Sequence, residues 1–102
     1  MRLNLELAMK ILNDVDEGHR FFCEDGSVFS NLRDLERDLK NMSDEVFLHH
    51  TEGERNDFAS WIRECLGDVR LADSLIGSDK NSSLKKISSR INYIEKYLEN
   101  RG

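Results

Sequence analysis

The stretch HHTEGERNDFASWIRECLGD, residues 49–68, decides how the chain is read. Two adjacent histidines, an acidic loop, an Asn-Asp pair, the only Trp and a Cys fall within it. Such a set suits a metal site, a catalytic cluster or a helix entering a core. Phe58, Trp61, Ile62, Cys65 and Leu66 recur at helical intervals until Gly67, and Thr51 to Glu54 has the spacing of a capping box. That spacing places Trp61 in the core, together with Phe47, Phe58 and Ile62.

Upstream, Ser43 followed by Asp44-Glu45 starts a short helix that carries Val46, Phe47 and His50, because the hydroxyl caps and the acids suit the positive end of the helix dipole. In NLRDLERDLKNM, Leu32, Leu35, Leu39 and Met42 form one stripe, with Ser30 or Asn31 as the cap. HRFFCEDGSVFS predicts a hairpin over 20–30. Asp25-Gly26 supplies its positive φ angles, and Phe21 or Phe22 packs with Phe29 on the helices. Leu3, Leu7, Ile11 and Val15, flanked by Ala8 and Leu12, predict a first helix over 1–17 that ends at Gly18.

Downstream, Asp68 caps a short helix presenting Val69, Ala72, Leu75 and Ile76, stopped by Gly77. SDKNSS forms a polar bridge to a last helix over 82–100, where Leu84, Ile87, Ile91, Ile94 and Leu98 alternate three and four apart. This seam is expected to pack on helix one. A homodimer through the C-terminal helix is the other option, but sustained coiled coils need about three or four heptads. The fold class expected is mainly α: one domain over 1–102, with five to six helices and one short β-hairpin.

At 102 residues the chain suits one domain with a modest core. Charged residues make up 34% against 38% hydrophobic, which excludes a disordered chain. No apolar run approaches the roughly 18 residues needed to span a bilayer, and acids interrupt the N-terminal stretch where a signal peptide would be apolar. A cytoplasmic protein is expected. Cys23 and Cys65 have no metal-site spacing and are too few for a disulfide framework, so both are expected to be reduced, small hydrophobes.

Charge is uneven. Residues 1–77 hold 9 Lys/Arg against 17 Asp/Glu, and residues 78–102 hold 6 against 3, so a net −8 and a net +3 give the −5 of the whole chain. An acidic body opposes phosphate binding, which makes nucleic acid an unlikely partner. Only Lys80, Lys85, Lys86, Arg90, Lys96 and Arg101 could form a basic patch, and this segment could instead lie against the acidic body.

The order F-x-x-x-D-G, N-L-x-x-L, M-S-D-E-x-F-x-x-H, E-R-N-D-F-A-x-W-I and L-G-D-x-x-L-A resembles a domain of unknown function found in archaea and some bacteria. Here the blocks are Phe21 or Phe22 through Gly26, Asn31 to Leu35, Met42 to His50, Glu54 to Ile62 and Leu66 to Ala72. They cover about half the chain by span, with residues 31–77 as the helical core, and the Asn-Asp-Phe-x-x-Trp block is the most distinctive. Thr51 stands where the pattern usually has Val. The resemblance implies a compact helical module, often attached to other domains, and implies no activity.

His49 and His50 point about 100 degrees apart on a helix, so they cannot both ligate one ion from it. They are the runner-up metal ligands, and no metal or cofactor is expected. His50 is expected to serve the last carbonyls of its helix. Asn56 and Asp57 suit a helix start, and a His50–Asp57 pair without a clear nucleophile is a weak catalytic signal. Cys65, on the apolar stripe, is expected to be an inert thiol. What remains is a non-enzymatic protein-interaction or regulatory module, with Arg33, Arg37, Arg55, Tyr93 and Tyr97 as candidate binding residues. The alternatives are a nucleic-acid-associated accessory protein using the basic C-terminal helix, and a metal- or His/Asp-dependent site around His50 and Asp57.

Overall fold

The computed structural model describes residues 3–100. They form six α-helices and one two-stranded antiparallel hairpin, a mainly α fold. The order is α1 (Leu5–Leu12), β1 (Phe21–Phe22), β2 (Val28–Phe29), α2 (Leu32–Asn41), α3 (Asp44–Thr51), α4 (Asp57–Trp61), α5 (Val69–Leu75) and α6 (Lys80–Glu99). A π-helical turn, Ile62–Leu66, continues α4. No helix among the described residues is long and apolar enough to cross a membrane.

Side-chain caps set most of the helix starts. Asn4, Asn31, Ser43, Asn56, Asp68 and Asp79 each accept a hydrogen bond from a backbone N–H in the first turn that follows. The cap of α4 is Asn56 and not Thr51, which still belongs to α3 and donates its hydroxyl to the Phe47 carbonyl at 2.9 Å. The chain needs the intervening residues to turn, and Gly53 takes a positive φ of 71° among them.

Three other boundaries differ from the sequence reading. The first helix ends at Leu12 and not at Gly18. Asp14 accepts from the Asn31 amide at 2.7 Å and the Val15 N–H donates to the Ser30 carbonyl at 2.8 Å, so partners outside the helix for these two residues terminate it after Leu12. The last helix begins at Lys80, because Asp79 accepts from the Ser82 N–H and draws four of the six bridge residues into the first turn. In α5, Leu71, Ala72 and Leu75 are buried while Val69 and Ile76 are exposed. Ile76 has left the helix for an extended conformation and points away from the stripe that helical spacing assigned it.

The hairpin pairs Phe21 with Phe29 and Phe22 with Val28. Of its turn residues only Gly26 has a positive φ, 91°. The Gly26 N–H donates to the Cys23 carbonyl, and the Cys23 N–H to the Ser27 carbonyl, which is the three-residue turn with a glycine bulge. Phe21 stacks on Phe29 and Phe58 with ring centroids 5.3 Å apart in each case, and Phe22 faces solvent. A ribbon too short to persist alone is thus held by an aromatic cluster.

Phe47, Phe58, Trp61 and Ile62 are all buried in the core. Trp61 meets Phe21 edge-on and donates its indole N–H to the His19 carbonyl at 2.7 Å. The α6 seam packs against α1, α2 and α5 of its own chain, with Ile87, Ile91 and Ile94 buried and Leu84 and Leu98 partly so.

Beneath α6, Asp68 has no exposed surface and takes the Arg90 guanidinium through both oxygens, at 2.7 and 3.3 Å, while capping α5 at the Leu71 N–H. Asn56 likewise caps α4 and donates its amide to the Leu75 carbonyl at 3.3 Å, joining α4 to α5. Asn56→Ala is expected to lower stability by about 1–3 kcal/mol in urea denaturation, since it removes a cap and the side-chain bond to the Leu75 carbonyl, which keeps only the Ser78 N–H.

Candidate functional site

The two histidines of the opening stretch diverge. His49 is exposed, with Nε2 3.4 Å from a Glu24 carboxylate oxygen. His50 is buried, and the Glu24 backbone N–H donates to its Nε2 at 3.0 Å. An imidazole nitrogen that accepts an amide proton carries none of its own, so Nδ1 holds the ring proton and donates it to Asp57 Oδ2 at 2.9 Å. The ring does not serve the carbonyls of α3. It turns the other way and joins the hairpin to the start of α4.

Cys23 Sγ lies 3.6 Å from His50 Nε2, so thiol, imidazole and carboxylate stand in series. The series lacks two things nucleophilic catalysis requires. Burial, with the charge of Asp25 adding to it, pushes the Cys23 thiol up to about 11, so the thiolate is absent at neutral pH. Only 7% of Cys23 is exposed, and the lone pair a general base would use is already engaged by Glu24. Native protein at pH 8 is therefore expected to resist iodoacetamide at Cys23 at least tenfold better than unfolded protein, as peptide mass mapping of the alkylated residue would show. Cys65 is half-buried and not fully enclosed as its stripe position implied; burial, then Glu64, raises its thiol as well.

An open groove of about 550 Å³ lies elsewhere, between α3, the 52–56 loop and the α5–α6 junction. Phe47, Leu48 and Ile76 give it an apolar lining, and Leu48 and Ile76 are each 56% exposed. Its cations have internal partners. Lys80 donates to the Met42 carbonyl at 2.7 Å and pairs with Asp44 at 3.0 Å, while Arg55 bonds the His49 carbonyl and lies 3.5 Å from Asp57. Glu54 and Asp79 supply the remaining charge, and capping of Ser82 holds the Asp79 carboxyl below the usual carboxylate range.

The five binding candidates do not converge. Arg33 pairs with Glu95 across α2 and α6 at 2.9 Å, Arg37 pairs with Asp34 on its own helix, and only Arg55 lines the groove. Tyr93 is exposed on α6 with the Arg90 guanidinium 5.6 Å from its ring centre, and Tyr97 is half-buried against the core. Three cations of the basic segment have partners within the chain, while Lys85 and Lys96 are exposed. Lys80 and Arg90 are paired as described, and Lys86 donates to the Ser74 carbonyl and the Ser78 hydroxyl. Arg101 lies outside the described residues.

Helical spacing missed the groove because Leu48 and Ile76 are 28 positions apart in the sequence yet line one groove. Ile76 carried no signal of its own, since helical spacing placed it on the apolar stripe of α5. Comparison of the chain with protein-family models, curated proteins and solved structures yields no match.

Proposed function

We propose that the domain is a small, non-enzymatic protein-interaction module whose groove between α3 and the α5–α6 junction receives a short apolar segment of another protein carrying basic residues at its ends. The observation behind this reading is the pairing of exposed Leu48 and Ile76 over one apolar lining whose cations are already neutralised. Glu54 and Asp79 then favour a basic partner, as does a body with a net charge of −8 over residues 1–77. The helical-module resemblance of the sequence blocks is consistent with this role and supplies no activity. Catalysis fits less well, since His50 is buried and its Nε2 already accepts a hydrogen bond from the Glu24 amide.

Affinity purification from the native cell, run in parallel on the wild type and on Leu48→Asp/Ile76→Asp, tests the reading. Both side chains are already wet, so the double variant should stay within about 0.5 kcal/mol per site of wild-type stability. It should lose at least tenfold of its bound partner, and wild-type binding should weaken as salt rises. A partner retained at full yield by the variant would place the interaction on another surface and sink the proposal.

A further inference from the structure

We propose that the hairpin of one copy of this chain docks in a cationic depression between α5 and α6 of a second copy. The outer face of the hairpin carries Phe22, 72% exposed, and its cross-strand partner Val28, 44% exposed. Standing side by side, the two make a small continuous apolar patch and not a scattered pair. Glu24 and Asp25 follow at the turn, both exposed, while the exposed Arg20 stands at the opposite end of the ribbon. The tip is therefore apolar and anionic at once.

The depression, open and about 520 Å³ in volume, has the opposite charge. Leu71 and the Tyr93 ring supply its apolar part, Arg70, Lys86 and Arg90 supply its cations, and no carboxylate lines it. Arg90 is committed to the buried Asp68, with its guanidinium 5.6 Å from the centre of the exposed Tyr93 ring. The other two charges have no anion in contact among the described residues. Arg70 is exposed without an ion pair, and Lys86 donates to neutral acceptors, the Ser74 carbonyl and the Ser78 hydroxyl.

The two surfaces complement each other in both respects. Phe22 and Val28 match the Leu71 and Tyr93 side, and Glu24 and Asp25 match Arg70 and Lys86. Tyr and Arg are the side chains that carry most contact energy, and opposite charge steers the encounter. A second copy is the occupant because this chain itself supplies both halves. Its acidic body, net −8 over residues 1–77, also draws a neighbour's cationic face toward it. A contact this small belongs to the weak, transient class of interface, and it joins two different patches, so copies pair reciprocally or add head to tail. It uses neither Leu48 nor Ile76 and stands whether or not the apolar groove binds another protein.

Analytical ultracentrifugation of the full chain at low salt tests the contact, at concentrations up to about 1 mM, the range in which so weak an interface associates. The wild type should self-associate, and association should weaken as salt rises. Phe22→Ser removes the tip and keeps the depression; Arg70→Glu/Tyr93→Ser does the reverse. All three side chains are exposed, so both variants should keep the wild-type melting temperature while each alone associates at least tenfold more weakly. An equimolar mixture of the two retains one intact contact per pair and should form a 1:1 dimer as its largest species. A wild type that stays monomeric would overturn the proposal and leave the depression to an acidic segment of another protein. Undiminished association of either variant, association indifferent to salt, or a mixture as monomeric as its components would overturn it as well.

Discussion

Arg90→Met is expected to destabilise the fold by about 3–5 kcal/mol, because it strands the Asp68 carboxylate without its cation. Asp68 is 0% exposed and cannot turn to solvent, and the guanidinium that meets it is itself mostly covered. Met keeps the aliphatic bulk of the α6 side chain, so the loss reports the uncompensated charge more than a cavity. The partner variant separates the two roles of Asp68. Asp68→Asn preserves an oxygen for the Leu71 N–H while removing the anion, so combining it with Arg90→Met should recover at least 1 kcal/mol relative to Arg90→Met alone. Urea midpoints for the two singles and the double supply the cycle. Equal stability of Arg90→Met and the wild type would mean that the α5–α6 contact rests on apolar packing alone.

Trp61→Ala should cost a similar amount, about 3–5 kcal/mol, through a different mechanism. The indole is buried against Phe21 and Phe29 and anchors the segment before the hairpin through its N–H to the His19 carbonyl. Its removal leaves a cavity where the hairpin meets α4, so the hairpin should loosen first. Hydrogen exchange would show this as faster exchange at the Cys23 and Val15 amides than at those of α6. Trp61→Phe should restore most of the loss and retain a deficit of about 1 kcal/mol for the missing hydrogen bond.

The contrast between these two effects explains what was legible in the sequence. Trp61, Phe58 and Ile62 announce themselves because helical periodicity is a local property, and so are the caps at Asn31, Ser43 and Asp68, which act three residues ahead. Arg90 gave no such signal. It belonged to a basic segment by composition, and only the crossing of α6 over α5 shows that it serves a single buried anion. Helix ends were misjudged where a polar side chain had a distant partner: Asp14 finds Asn31, which ends α1 early. The groove was hidden because Ile76 was assigned to the buried face of a helix that stops one residue before it. The pairing of His50 with Asp57 was readable as a possibility. Its direction, with the ring turned from the α3 carbonyls to the Glu24 amide, depends on where the hairpin docks.

That docking carries the structural reading of residues 49–68, in which the His, the Asn-Asp pair and the Trp tie hairpin, α3 and α4 into one core. A double-mutant cycle on His50→Ala and Asp57→Ala, read by chemical denaturation, tests it. Each single variant should lower stability by about 1–3 kcal/mol, and the two should couple by at least about 0.5 kcal/mol because they share one hydrogen bond. Single variants as stable as the wild type, with no coupling, would show that these side chains are not holding the domain together and would return the pair to the search for chemistry.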